Sequence, residues 1–273
     1  MKAAKFDYVA PRDVASAIAA LAQGGEDAKL MAGAQSLGPM LNLRLARPKL
    51  VVDVSRIDEL RTCTDHGDSI RIGAAVTHAA IEDDRAGVPT PSMLRLVARG
   101  IAYRAVRNRG TIGGSLAHAD PAADWPLALD ALDATVIVRG LKGERRIAAR
   151  GLMIGAYTTT IAADELIVAI DVPKLSPSAR WGYHKYCRKT GEFPEASAAI
   201  LLDPARRVAR MSIGALSGAP RVVDDLAARL ARDGSIDASA IAAVMARVTP
   251  ALSSVKARLY AGVVKRAIAA AMQ

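Results

Sequence analysis

"RNRGTIGGSLAHADPAADWP", residues 107–126, places two adjacent glycines, a run of small residues and two acids behind a series of arginines. Residues without side-chain bulk let backbone approach a ligand closely, and successive N–H groups freed in this way can converge on an anion. A second stretch, "KLMAGAQSL" at 29–37, is a strand that breaks into another Gly/Ala/Ser turn about 80 residues earlier. Two such turns predict a clasp that holds one pyrophosphate from opposite sides. Each turn taken alone also fits a tight bend against packed backbone. Neither contains G-x-x-x-x-G-K-[ST], and no G-x-G-x-x-G joins a strand to a helix, so the P-loop and Rossmann readings have no support.

The bulk properties narrow the class of protein. The 273 residues are 51% hydrophobic, enough for about two cored domains. The N-terminus has no apolar run of secretory length and no window reaches the roughly 20 apolar residues needed to span a bilayer, which predicts a cytoplasmic protein without a membrane span. Two distant cysteines, Cys63 and Cys187, cannot build a zinc or iron–sulfur site, so any metal centre belongs to a partner. The net charge of +10 is uneven: residues 1–173 carry 21 basic against 20 acidic side chains, and residues 174–273 carry 16 against 7. With only 4% aromatic residues, the chain lacks the stacking platforms that usually accompany nucleic-acid binding. The basic C-terminal third therefore reads as a solvated or partner-facing surface. Between Asp84 and Asp120 the chain has six arginines (Arg85, Arg95, Arg99, Arg104, Arg107 and Arg109) and no acid between the two aspartates, a pattern that favours a bound anion or an acidic partner and that exposed helix arginines would also give.

Periodicity predicts interleaved short strands and helices. "RDVASAIAALAQ" (12–23) has helical spacing and a Gly24-Gly25 stop, "KLMAG" and "KLVVDV" read as buried strands, and "DHGDSIRIGAAV" reads as a hairpin turned at 66–68. After the strand "ELIVAIDVP", the polar connector "KLSPSAR" marks a domain boundary, giving 1–174 and 175–273. Beyond it, "WGYHKYCRK", "EASAAILL" and "RVARMSIGAL" predict a three-stranded antiparallel sheet, followed by two or three Ala-rich amphipathic helices.

In this order, "AGAQSL", "PMLNLRLARPKLVVDVSRI", "TIGGSLAHADPAAD", "ELIVAIDVP" and "HKYCRKTGEFPEASAA" resemble the FAD-binding medium subunit of molybdenum hydroxylases, the group that includes carbon monoxide dehydrogenase and xanthine dehydrogenase flavoproteins. The resemblance covers nearly the whole chain. It implies an α+β fold: a PCMH-type flavin-binding domain of two subdomains, then a small domain of a three-stranded antiparallel sheet and a helical bundle. It implies non-covalent FAD in this chain, with molybdopterin and [2Fe–2S] clusters confined to a large molybdenum subunit and a small iron–sulfur subunit, together a heterotrimer or its dimer. Electrons would pass from the clusters to FAD and on to an external acceptor. A stand-alone FAD-dependent oxidoreductase of the same fold and a flavin-free assembly module are the alternatives. The former would need its own substrate pocket and often a tethering His or Cys in a glycine loop.

By the same resemblance, the first loop carries over onto Lys29, Leu30, Met31, Ala32, Gly33, Ala34, Gln35, Ser36 and Leu37, and the second onto Thr111, Ile112, Gly113, Gly114 and Ser115. Ala34 stands where the pattern usually has a second glycine, and Ser115 where Asn is common. The acids come after the glycines because a carboxylate beside a pyrophosphate is repelled, whereas one further on can accept from a sugar or ribityl hydroxyl. Asp124 is implied in that role and Asp120 more weakly, since Asp120 before Pro121 also reads as a helix N-cap. Ile101 and Ile167 match apolar residues lining the flavin, Lys185 a basic residue near the ring, and Phe193 an aromatic screening one ring face; all four also read as core or surface packing. His118 reads as a loop or packing histidine, and none of the chain's histidines suggests a triad or metal site.

Overall fold

The computed structural model describes residues 2–273. Strand β1 (Asp7–Val9) leads into helix α1 (Val14–Gly24), whose N-cap Asp13 accepts from Ser16 N–H at 2.7 Å. Val14, Ala17, Ile18 and Leu21 recur at helical spacing and are buried, and Gly25, at φ 53°, ends the helix as the sequence predicts. Next come β2 (Ala28–Met31), the short helix α2 (Leu37–Asn42) and β3 (Leu50–Asp53). The three strands form a parallel sheet in the order β1-β3-β2, with Val51 and Val52 fully buried at its centre.

The second sheet is antiparallel. Strands β4 (Cys63–Asp65) and β5 (Ser69–Gly73) form the predicted hairpin, in which Gly67 takes φ 77°. Five helices follow: α3 (His78–Glu82), α4 (Ser92–Gly100), α5 (Arg104–Arg107), α6 (Ile112–His118) and α7 (Asp124–Ala131). Strands β6 (Thr135–Gly140) and β7 (Gly143–Ala148), helix α8 (Ala149–Leu152) and the small hairpin of β8 (Met153–Gly155) and β9 (Thr158–Thr159) lead to β10 (Leu166–Pro173). The sheet order is β4-β5-β10-β6-β7, so the most apolar strand is central. Met93, Leu94, Val97, Ile112, Leu116, Trp125 and Leu129 pack from the helices onto Ile72, Ile170 and Val172.

The C-terminal sheet contains β11 (Arg180–Tyr186), β12 (Ala196–Asp203) and β13 (Val208–Gly214), the three strands expected, together with a two-residue strand β14 (Arg221–Val222) too short to show a period. Alternation along β12 sorts its two faces. Ala196, Ala198, Ile200 and Leu202 pack on helices α9 (Asp224–Asp233), α10 (Ala238–Val248) and α11 (Ser254–Ala271), while Ala199 and Leu201 join the core of the preceding sheet. Gly182 lies against α11 so closely that a Cβ there would overlap the Ala267 carbonyl oxygen. Among the described residues, no helix is long and apolar enough to cross a membrane.

Candidate functional site

The first loop leaves the C-terminal end of β2. Leu30 and Ala32 pack inward against the parallel-sheet core and Lys29 is exposed. From Met31 the chain bends through Ala34 at φ 58°, a left-handed conformation that costs a residue with a Cβ about 1 kcal/mol and that glycine adopts without penalty. The Gln35 amide donates to the Gly33 carbonyl at 3.0 Å and braces the bend, and Ser36 leads into α2 without using its hydroxyl as a cap. The backbone N–H groups of Gly33, Ala34, Gln35, Ser36 and Leu37 donate to no protein acceptor among the described residues. Five undonated N–H groups on one bend form a concentrated set of anion donors.

Gly33 is what brings the second stretch to this bend. A Cβ on Gly33 would overlap the Arg109 carbonyl oxygen and stand 2.8 Å from Gly110 Cα, and one on Gly114 would lie 3.9 Å from Ala32 Cβ. The two glycine-bearing segments therefore meet backbone to backbone.

The second segment differs from the open turn that the sequence suggests. Thr111 is an N-cap, and Ile112, Gly113, Gly114 and Ser115 form the first turn of α6, with no positive φ. Their N–H groups are already committed: Ile112 to Val76 O (3.1 Å), Gly113 to Ala74 O (2.9 Å), Gly114 to Thr111 Oγ1 (3.1 Å) and Ser115 to Thr111 O (3.0 Å). The expected second anion nest is absent because the Thr111 cap and the strand end at Ala74–Val76 take these donors first. Gly113 is glycine for packing, since its Cβ would sit 2.5 Å from Ala74 Cβ and 2.7 Å from Ala74 O. What this segment presents outward is bare backbone at the exposed Gly114 and the half-buried Ser115 hydroxyl.

Asp120 bonds Ala122 N–H at 2.8 Å in an Asx turn and receives the Tyr157 hydroxyl at 3.4 Å. The N-cap reading of Asp120-Pro121 does not hold, because the helix begins three residues later at Asp124. Asp124 is 7% exposed and accepts from Lys185 Nζ at 3.0 Å on both oxygens and from the Tyr183 hydroxyl on Oδ1. Burial pushes its carboxyl above the ordinary value, against the Lys185 charge and the Tyr183 bond, which pull it down. Lys185 spends its third proton on the Gly100 carbonyl at 2.8 Å. The sequence reading treats Asp124 and Lys185 as separate ligands; the fold makes them one pair.

Ile101 caps α4 and is half-buried against the main core, and Ile167 is buried in β10 within it. Phe193 is 66% exposed on the connection between β11 and β12. Tyr103, which the sequence reading passes over, is 62% exposed and lies against the same connection, since a Cβ on Gly191 would be 2.9 Å from its ring. Its only sequence signal is that it is one of few aromatics, and its partner is 88 residues away. Ile101, Tyr103 and Lys185 thus border one region, beside the connection that carries Phe193.

The arginine-rich stretch is mostly neutralised internally: Arg85 pairs with Asp83, Arg95 with Asp84, Arg104 with Glu82 and Asp83, and Arg107 with Glu82. Arg99 and Arg109 have no salt bridge among the described residues. His118 stacks on Tyr157 with ring centroids 5.2 Å apart, in keeping with a packing role. No group of three or more potential metal ligands occurs among the described residues.

His78 lies beneath the second segment. Its Nδ1 accepts from Trp125 Nε1 at 3.1 Å, which assigns the proton to Nε2, and a Cβ on Gly110 would be 2.8 Å from that nitrogen. Burial, aided by the Arg107 charge, lowers its pKa from 6.5 to about 4. The unfolded chain binds a proton between these values that the folded chain does not, so stability present above pH 6.5 is lost as pH falls to 4. This amounts to about 3 kcal/mol. Urea titrations from pH 7 to 4 should show that loss, and His78→Gln should flatten it; an unchanged acid slope in the variant would assign the effect elsewhere.

The description "FAD binding domain in molybdopterin dehydrogenase" belongs to the family model that matches residues 4–175. The chain is 40% identical over 220 residues to the 6-hydroxypseudooxynicotine dehydrogenase complex subunit alpha of Paenarthrobacter nicotinovorans, covering 80% of this chain and 74% of that one. It is 39% identical over 202 residues to the carbon monoxide dehydrogenase medium chain of Hydrogenophaga pseudoflava, covering 72% and 69%. A solved structure of carbon monoxide dehydrogenase from H. pseudoflava, in a form lacking the Mo-pyranopterin moiety, superposes over 99% of this chain and 98% of that one with a TM-score of 0.86 at 32% identity. Fold and sequence together define an FAD-binding protein. The chain belongs to the FAD-binding family of molybdopterin dehydrogenases and is the FAD-binding medium subunit of a multi-subunit complex of the molybdenum hydroxylase type.

Proposed function

We propose that this subunit is the electron exit of its complex, receiving electrons from the [2Fe–2S] clusters of a small partner subunit and passing them to an external acceptor, while a large molybdenum subunit oxidises the substrate. The observation that carries this reading is the bend at 33–37, five unspent N–H donors closed over by bare backbone at Arg109-Gly110. Such a cradle fits a pyrophosphate, and bound FAD supplies the redox chemistry that these side chains lack. In this reading Lys29 through Leu37 hold the pyrophosphate side. Thr111, Ile112, Gly113, Gly114 and Ser115 form the opposing wall, with Asp120 and Asp124 toward the sugar and ribityl hydroxyls. Asp124 Oδ2 carries one bond and keeps accepting capacity for such a hydroxyl. Ile101, Ile167, Lys185 and Phe193 border the ring. We further propose the division into 1–174 and 175–273, supported by the separate helix-packed core of the C-terminal sheet.

A covalently tethered oxidase is disfavoured by the cysteines. Cys63 is buried with its thiol pushed up to about 12, chiefly by burial, and Cys187 lies outside both loops. Acid precipitation of the flavin-loaded protein is expected to leave all colour in the supernatant. The chain alone, supplied with FAD, is expected to show no flavin bleaching with purines, N-heterocycles, aldehydes or CO, and substrate bleaching should appear once the iron–sulfur and molybdenum subunits are added. Bleaching by the chain alone would favour the stand-alone oxidoreductase.

A further inference from the structure

Tyr183 and Lys185 are two residues apart on β11 and so share a face. Both side chains reach out of the C-terminal sheet to the same carboxylate, Asp124 at the start of α7. Lys185 continues to the Gly100 carbonyl and thereby spends all three of its donors. Gly100 ends α4, and the turn after it is unusual, with Ala102 at φ 41°. Arg107 holds this turn from the other side, donating to the Ile101 and Ala102 carbonyls at 3.0 Å each. The carbonyls of Gly100, Ile101 and Ala102 are therefore all pinned by cations. The pinned turn carries Ile101 and Tyr103, which border the proposed ring site.

We propose that Tyr183 is a positioning residue of the FAD site: its hydroxyl orients the Asp124 carboxylate that seats Lys185, and Lys185 fixes the Gly100–Tyr103 turn, so that docking of the C-terminal sheet sets FAD affinity. This rests on the FAD-binding reading above. A buried carboxylate that loses one donor reorients toward its remaining partner. Lys185 is that partner, and its reach to Gly100 depends on where the carboxylate points.

The test is the FAD dissociation constant of the full chain, read by quenching of flavin fluorescence, alongside the melting temperature of the FAD-free protein. Tyr183→Phe and Lys185→Met are each expected to weaken FAD binding about tenfold, the loss of one bond to a charged group. The double variant should bind no more weakly than Lys185→Met, because Tyr183 acts through Lys185. Tyr260→Phe, which removes a hydroxyl bonded to the Ala215 carbonyl within the C-terminal part, should lower the melting temperature with FAD affinity unchanged. Gly100→Val gives an independent arm should Tyr183→Phe not fold. Valine is the better helix residue, but its γ-carbons would enter the space of Lys185, whose Cε is 3.4 Å from the Cβ position. A merely structural role predicts unchanged FAD binding in Gly100→Val, and the proposal predicts weaker binding. Tyr183→Phe that shifts only the melting temperature, or losses that add in the double variant, would overturn the proposal. Wild-type chain that binds no FAD would instead overturn the FAD-binding reading.

Discussion

Gly33→Ala is expected to abolish FAD binding at concentrations that saturate the wild type, a loss of at least about 100-fold or ~2.7 kcal/mol. The added methyl would overlap the Arg109 carbonyl oxygen and stand 2.6 Å from its carbon and 2.8 Å from Gly110 Cα. All three are backbone atoms, which cannot rotate away as a side-chain end can. Gly110 is itself held by His78, whose N–H donates to the Gly110 carbonyl at 2.9 Å. The segments would have to separate, opening the cradle that the N–H groups of 33–37 face. Gly38→Ala is the control, because its Cβ meets nothing closer than Ala34 Cβ at 3.8 Å. Equilibrium dialysis against FAD checks both variants; Gly33→Ala binding FAD normally would show that the contact between the segments is dispensable.

Asp130→Ala is expected to cost about 3 kcal/mol, since it removes the one fully buried carboxylate shared by two partly buried guanidinium groups and leaves Arg150 only Asp224, at 3.1 Å, and Arg210 only Asp133, at 2.7 Å. Asp130 is 1% exposed near the end of α7. Its Oδ1 accepts from Arg150 Nε at 2.9 Å and from an Arg210 Nη at 3.0 Å, and Ser212 donates to Oδ2. Arg150 also reaches Asp224 at 3.1 Å, and Asp224 accepts the Met211 N–H at 2.9 Å. This carboxylate thus fastens α7 to α8 and β13, and Arg150 carries the link on to Asp224 of α9, across the connector at 174–180. Set against the 5–15 kcal/mol of an ordinary folded protein, the loss should lower the melting temperature by roughly 10 °C. Circular dichroism would measure it, with Asp130→Asn falling in between because the amide retains an acceptor. A shift under about 1 kcal/mol would mean that Asp224 and Asp133 suffice to hold the two arginines.

Much of the fold was legible because its signals are local. The helical spacing and Gly24-Gly25 stop of α1, the 66–68 hairpin, and the three strand segments of β11 to β13 each depend on residues within one element. The family order of glycine stretches was legible for the same reason, each motif being contiguous. Less was legible where one local pattern fits two structures: Gly113-Gly114 suggests an open turn and is the first turn of a helix, because Thr111 Oγ1 and the Ala74 and Val76 carbonyls take its N–H groups. Asp120-Pro121 suggests a cap and is an Asx turn. The arginine run suggests an anion site, yet four of its six members pair with Glu82, Asp83 and Asp84, acids that enter the same surface from α3 and the turn after it.

By itself, then, the sequence determined the class of the protein, the order of its elements and the bends able to bring backbone to a ligand, since period, glycine placement and capping are properties of neighbouring residues. Which of those bends keeps free donors was decided by tertiary structure, because an N–H is spent or spared by acceptors far along the chain. Tertiary structure also decided that Asp124 and Lys185, 61 residues apart, are a single buried pair with Tyr183. Neither charge could be buried singly at tolerable cost, and only the docking of the C-terminal sheet onto α4 and α7 brings them within bonding distance.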